Sequence, residues 1–271
     1  QSMSRFPDNF LWGGASADFQ YEGGFGEGNR GLITADFVTD GNVDTLRQVT
    51  YKCKDGTLGS SPLKAEIPEG ATGYIDPERY YPSHDGVDFY HRYKEDIALM
   101  AEMGFKTYRF SIAWTRILPN GTGEVNPKGI EYYNNVINEC LKYGIEPLVT
   151  MFHFDMPAAL DERGSWGNPE SVDWFVNFAK VMYENYGDRV KYWLTINEQN
   201  MLTLVGPVIG TLHLPEGCTN EIKEIYQQNH HMLVAQAKAM ALCHEMIPGA
   251  KIGPAPNISL VYPASCKPED V

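Results

Sequence analysis

The sequence predicts an α/β fold in which parallel strands alternate with helices. Three observations predict it. Short apolar and β-branched runs, each bounded by polar residues, Gly or Pro, recur along the chain. Apolar residues at three- and four-residue steps fill most of the intervals between them, and capping or terminating residues sit where those intervals begin and end. Such alternation builds crossover units that pack into a parallel sheet.

The strands are expected at 10–16 (FLWGGAS), 107–113 (TYRFSIA), 146–152 (EPLVTMF), 190–196 (VKYWLTI) and 250–256 (AKIGPAP). Helical spacing covers 86–103, where Val87, Tyr90, Tyr93, Ile97 and Met100 form one stripe, and then 127–143, 169–186 and 221–247. Asn126-Pro127, Asn168-Pro169 and Ser83 offer caps or first-turn prolines, and Gly104, Gly144 and Gly187 follow the apolar stripes as terminators. The stretch from Gly24 to Pro82 breaks this rhythm with Gly, Thr, Asp and Pro, so 24–82 is expected to be a long functional loop that walls the site.

With 271 residues, 43% of them hydrophobic, the chain is long enough for one large core. Residues 1–3 look like the remnant of an expression tag, leaving 4–271 as the N-terminal portion of a single barrel domain. A (β/α)8 TIM barrel closes on eight strands. Five are counted, so about the first five βα units are expected here and about three are missing.

A net charge of −13 argues against a nucleic-acid or anionic-membrane surface, both of which select basic footprints. A small-molecule partner is expected. The five cysteines, Cys53, Cys140, Cys218, Cys243 and Cys266, include no CxxC pair, and no signal peptide or spanning run is visible. These features point to a cytoplasmic protein without disulfides, cofactor or metal, and leave a homo-oligomer open.

Catalytic groups of a βα barrel gather at the C-terminal ends of its strands. In strand order those positions hold Gln20, then Arg109, then His153 and Asp155, then Asn197 and Glu198, then Asn257. Glu198 closes an apolar strand, where partial desolvation would keep it protonated as a general acid; the competing reading is a cap on the next helix. His153 suits a donor to substrate hydroxyls, a base or a ligand. One His and Asp155 on a single strand face are too few for a metal site. Arg109 lies among apolar neighbours, so a carboxylate is expected to face it, either in a structural pair or as a group held ionised for catalysis. Trp12, Phe19, Phe154, Trp166 and Trp193 fall near strand ends or loops; for Trp166 and Trp193 core packing is the expected use.

The runs FPDNFLWGGASADFQYEGG, YPSHDGVDFYHRYKEDIALMAEMGFKTYRFSIAWTRILPNG, HFDMP at 153–157 and YWLTINEQN at 192–200 resemble glycoside hydrolase family 1. The resemblance implies that Glu198 is the acid/base, that Asn197 bonds the hydroxyl beside the anomeric carbon, and that Gln20 and His153 bind the other glycone hydroxyls; Phe154, from the aromatic residues near the strand ends, is expected to bind substrate by stacking on the sugar. Arg109 matches the arginine that faces the nucleophile. The wording around HFDMP and IGPAPNISLVYPASCKPED is most similar to the 6-phospho-β-glucosidase branch, implying a phosphorylated β-glycoside as substrate. Two departures stand out: Gln199 replaces a proline, and the Thr-Glu-Asn-Gly run that carries the family nucleophile does not occur in these residues. A glycosidase acting on unphosphorylated glucosides or galactosides, and a non-catalytic sugar-binding half-barrel, are the rival readings.

Overall fold

The computed structural model describes residues 6–63, 66–209, 212 and 214–270. The tag reading of residues 1–3 falls outside them.

In chain order the elements are β1 (Gly13–Ala15), α1 (Asp18–Tyr21), β2 (Val49–Lys52), β3 (Leu58–Ser61), β4 (Thr72–Gly73), α2 (Pro82–Asp85), α3 (Phe89–Glu102), β5 (Thr107–Ser111), α4 (Trp114–Ile117), α5 (Pro127–Lys142), β6 (Glu146–Phe152), α6 (Ala158–Asp161), α7 (Ser171–Tyr186), β7 (Tyr192–Asn197), α8 (Gln199–Ile209), α9 (Glu221–Met246) and β8 (Lys251–Ala255). Strands β1, β5, β6, β7 and β8 form one sheet in that order, and every pairing is parallel. These are the five strands expected from the sequence. Gly13 is required in the first pairing, because a Cβ there would lie 1.8 Å from the Thr107 carbonyl oxygen.

Each strand sends alternate side chains outward to the helices. Tyr108 of β5 meets both Phe110 and Phe89 of α3, and Trp193 of β7 lies edge-on to Tyr183 of α7. Trp114 stacks on Phe178 at 4.8 Å, and Trp166 sits edge-on to Phe152. Both Trp166 and Trp193 are fully buried, as core residues. The open edges of the sheet, β1 and β8, are flanked by exposed apolar groups: Phe6, Phe10 and Trp12 at one side, Ile258, Leu260, Val261 and Tyr262 at the other.

Helix ends follow the expected chemistry at some positions and depart from it at others. Asn126 caps α5 by accepting from the Lys128 N–H, with Pro127 in the first turn. Gly104 and Gly144 take left-handed φ values of 86° and 68°. Gly187 instead keeps helical φ; there a Cβ would press on the Tyr183 carbonyl and on Ile247, so close approach, not a left-handed turn, selects glycine. Ser83 lies inside α2 and Asp88 precedes α3, and Asn168 sits three residues before α7, receiving the Glu170 N–H at 2.9 Å.

The segment 24–82 has structure that its composition hides. Strand β2 pairs antiparallel with both β3 and β4, and a bridge from Ile33 to Pro157 ties the segment to the turn after β6. Helix α8, directly after β7, was not expected either.

Candidate active site

Arg109, on the inward face of β5, organises the strand ends. Its Nε donates to Thr150 Oγ1 of β6 at 2.9 Å and its Nη2 donates to Asn197 Oδ1 of β7 at 2.6 Å. Three adjacent strands are thereby joined across the sheet's inner face. The sequence predicted a carboxylate opposite Arg109; among the described residues its hydrogen bonds go instead to these neutral groups. Burial lowers its pKa, and the charge of Glu198 raises it in part compensation, so the Glu198 carboxylate lies within electrostatic reach.

Asn197 reaches Arg109 through an irregularity in β7. Strict two-residue alternation would aim Asn197 the same way as Thr195, whose hydroxyl donates to Gln236 of the outer helix α9 at 2.6 Å. The register between β7 and β8 shifts between Leu194 and Asn197, and Asn197 turns to β5 instead.

Glu198 follows with a left-handed φ of 47°, a costly conformation for a side chain with a Cβ. Its N–H donates to the Ala255 carbonyl at 2.8 Å, and its own carbonyl accepts from Met201 and Leu202 of α8. The link to α8 thus runs through the main chain. Gln199, the departure from proline, begins α8 and is buried; it donates to Asn229 Oδ1 at 2.7 Å and accepts from Gln236, which fixes the strand end against α9.

His153 lies one residue beyond the end of β6, in a bend whose next residue, Phe154, has φ of 73°. His153 and Asp155 therefore do not share a strand face, as spacing had implied. The bend folds back so that Asp155 Oδ1 accepts the His153 main-chain N–H at 3.0 Å. Burial and the positive charge of Arg109 push the His153 pKa down to about 4, so the ring is neutral near pH 7, and its buried Nδ1 has no partner among the described residues. A neutral imidazole is suited to bonding hydroxyl groups.

Phe19 and Phe154 flank His153, with ring centroids 6.2 and 5.3 Å from it, and both also line a cavity of about 770 Å3. Its far wall is Phe37, Val49 and Tyr51 of the inserted segment. Arg109, Asn197 and Glu198 do not line this chamber; it adjoins their site through the two phenylalanines. Gln20 is exposed on α1, its N–H donating to the Ala17 carbonyl, and among the described residues no hydrogen bond joins it to the other candidates. Asn257 is half-buried and tied to α8, its N–H donating to Asn200 Oδ1.

Sequence reasoning missed two participants, Thr150 and Asp18. The Asp18 carboxylate accepts from Ser111 Oγ, is fully buried and meets Asp155. The only signal was an acidic residue in the otherwise small and apolar run ASADF.

The glycosyl hydrolase family 1 model matches residues 77–271. The chain is 44% identical to the 6-phospho-beta-glucosidase AscB of Escherichia coli over 99% of its own length and 53% of the relative's. It is 41% identical to the aryl-phospho-beta-D-glucosidase BglH of Bacillus subtilis, covering 98% and 51%. Among solved structures it superposes on a beta-glucosidase from Thermotoga maritima in complex with glucoimidazole with a TM-score of 0.75, 36% identity, and coverage of 99% and 53%. The chain spans about half the length of the relatives it matches. Its fold is that of about the first five βα units of a (β/α)8 barrel.

Proposed function

Because the chain belongs to glycosyl hydrolase family 1, we propose that it carries the acid/base half of a retaining β-glycoside hydrolase, with Glu198 as the proton donor. The observation that carries this reading is the Arg109–Asn197 hydrogen bond, which joins β5 to β7 immediately before Glu198, within reach of the Arg109 charge. Glu198 protonates the departing glycosidic oxygen and then, as carboxylate, takes a proton from the water that releases the sugar. Retention needs a second carboxylate about 5–5.5 Å from the first to attack the anomeric carbon. We assign that nucleophile to a part of the enzyme outside these residues, facing Arg109.

Asn197, His153 and Gln20 bind the glycone hydroxyls, with Phe154 against the sugar. The neutral His153 ring both donates and accepts, which matches a hydroxyl pair. The aglycone leaves toward the chamber walled by residues 24–82. The names of the Escherichia coli and Bacillus subtilis relatives support 6-phospho-β-glucosides as the substrates, hydrolysed to glucose 6-phosphate and an aglycone. The likeness to the Thermotoga maritima beta-glucosidase supports a second reading, with unphosphorylated glucosides as substrates.

The test is Glu198→Gln in the full-length enzyme, assayed on two aryl β-glucoside 6-phosphates that differ in leaving-group acidity. The poor leaving group should lose about 10²–10⁴-fold in turnover and the activated one far less, because it needs little protonation. Equal losses on both would refute the acid role. Turnover of nitrophenyl β-glucoside in preference to its 6-phosphate would select the second substrate reading.

A further inference from the structure

Two carboxylic acids stand behind the turns that carry Gln20 and His153. Asp18, two residues before Gln20, and Asp155, two residues after His153, are 2% and 1% exposed, and their carboxyl groups face each other. The remaining partners are fixed. Asp18 Oδ1 accepts from Ser111 Oγ, which in turn receives the Asp18 N–H at 2.7 Å; Asp155 Oδ1 accepts the His153 N–H. That leaves Oδ2 on each residue, buried and without an N–H or O–H donor elsewhere among the described residues. Two carboxylate oxygens repel unless a proton lies between them.

We propose that Asp155 and Asp18 share one buried proton, and that this proton clamps the turn bearing Gln20 to the turn bearing His153. Only the consequence for sugar binding rests on the glycosidase reading; the proton itself does not.

The surroundings say which partner holds it. Asp18 takes the Ser111 hydroxyl and feels the positive charge of Arg30, so it is the ionised acceptor; Asp155 donates. Burial is the largest influence on both; Asp18 raises the Asp155 pKa further, whereas the contact with Asp155 lowers that of Asp18, as expected if Asp155 is the donor. The other titratable groups facing the pair are Glu22 on the chain just after α1, which raises Asp18 further, and Tyr133 of α5, which donates to Glu22 Oε2. On the His153 side Asp155 meets the main-chain N–H groups of His153 and of its own residue. A carboxyl pair raised in the folded state binds a proton that the unfolded chain has released. Its stabilisation is therefore present in acid and lost as pH rises through the folded value. Past that point two buried negative charges push the turns apart, and the Gln20 and His153 positions separate.

The experiment compares Asp18→Asn, Asp155→Asn and the double variant in the full-length protein. Each single asparagine keeps its Oδ1 acceptor role and donates an N–H to the remaining carboxylate, so each single variant should melt near the wild type at about pH 5 and lose the fall in Tm toward about pH 9. The double variant opposes two NH2 groups with no acceptor between them. It should melt at least about 4 °C below the sum of the single effects. Carbon-13 spectra of labelled aspartate should show Asp18 and Asp155 titrating together above the ordinary carboxyl range, with the His153 ring signals moving in step, and this coupling should vanish in Asp155→Asn. KM for nitrophenyl β-glucoside 6-phosphate should rise severalfold over the same range in the wild type and stay flat in the single variants. Independent titration of both acids in the ordinary range, or a double variant no worse than additive, overturns the shared proton. Coupled titration with stationary His153 signals overturns the clamp. Absence of glycoside turnover with the coupled titration intact would count against the glycosidase reading alone.

Discussion

The inserted segment 24–82 closes a chamber over Phe19 of α1 and Phe154 after β6, at the ends of strands of the parallel sheet, yet insert and sheet are held by opposite means. In the sheet and the elements packed on it, large apolar side chains such as Trp114, Phe152, Trp166 and Trp193 are wholly buried, and packing fixes the strands. In the insert, the fully buried apolar groups are few, and polar contacts do the fixing. Arg30 forms a bidentate pair with Asp36, whose other bond takes the Ile33 N–H; the Thr50 hydroxyl donates to the Tyr74 carbonyl and meets the Tyr81 hydroxyl at 2.7 Å. A packed strand tolerates polar change at its rim. A polar-stitched loop does not, because each buried group left unpaired costs about 1–3 kcal/mol.

The two regions are joined at Arg116 of α4. Its guanidinium is buried, pairs with Glu22 and donates to the carbonyls of Gly23 and Gly24 at the start of the insert. Arg116→Met should therefore have the largest effect of any change at this boundary, about 3–5 kcal/mol, because it strands the buried Glu22 charge. Chemical denaturation checks it. A loss under about 1 kcal/mol would mean that the insert and the sheet do not depend on this tie.

His153 probes how dry the strand ends are. Its pKa is about 4 in the fold against an ordinary value of about 6.5, so the unfolded chain takes up the proton first, and stability falls as pH drops from about 6.5 to 4. His153→Asn should remove about 2 kcal/mol of that acid-side loss, read as the difference between the two proteins' stability curves. The comparison isolates His153 from the acid pair beside it, whose pH dependence has the opposite sign. Identical curves would show a ring open to water.

The smallest expected effect sharpens the contrast. Thr50→Val removes the hydroxyl that joins β2 to Tyr74 and Tyr81, at a cost of about 1 kcal/mol confined to the insert. Proteolysis within 40–80 should quicken while the main melting transition stays in place. A shift of that transition would mean that the insert unfolds together with the sheet.

The same contrast explains what was legible from residues alone. All five parallel strands and the four long helices announced themselves through period and punctuation, because burial on a regular lattice leaves that signature. Strands β2 to β4 left none: VTYK, LGSS and TG are short, mixed in polarity and half exposed. Helix α8 was hidden by Gly206 and Pro207 in its second half. At the site, Arg109, His153, Asn197 and Glu198 were visible as polar residues closing apolar runs. Asp18 was not, since nothing in its neighbours' spacing marks an acid as buried, and Thr150 and Asn197 were not foreseen as partners of Arg109 because they reach it from other strands.

The slipped rung near the end of β7 has a consequence for how this architecture can diversify. Reorienting Asn197 there adds nothing to any loop, so the inward-facing amide comes without loosening the sheet around it. Loops at the mouth, including the long first one, are then free to lengthen, shorten or exchange and to retune what enters, while the group beside the acid keeps its aim. Chemistry is written into the pleat, and selectivity into the fringe.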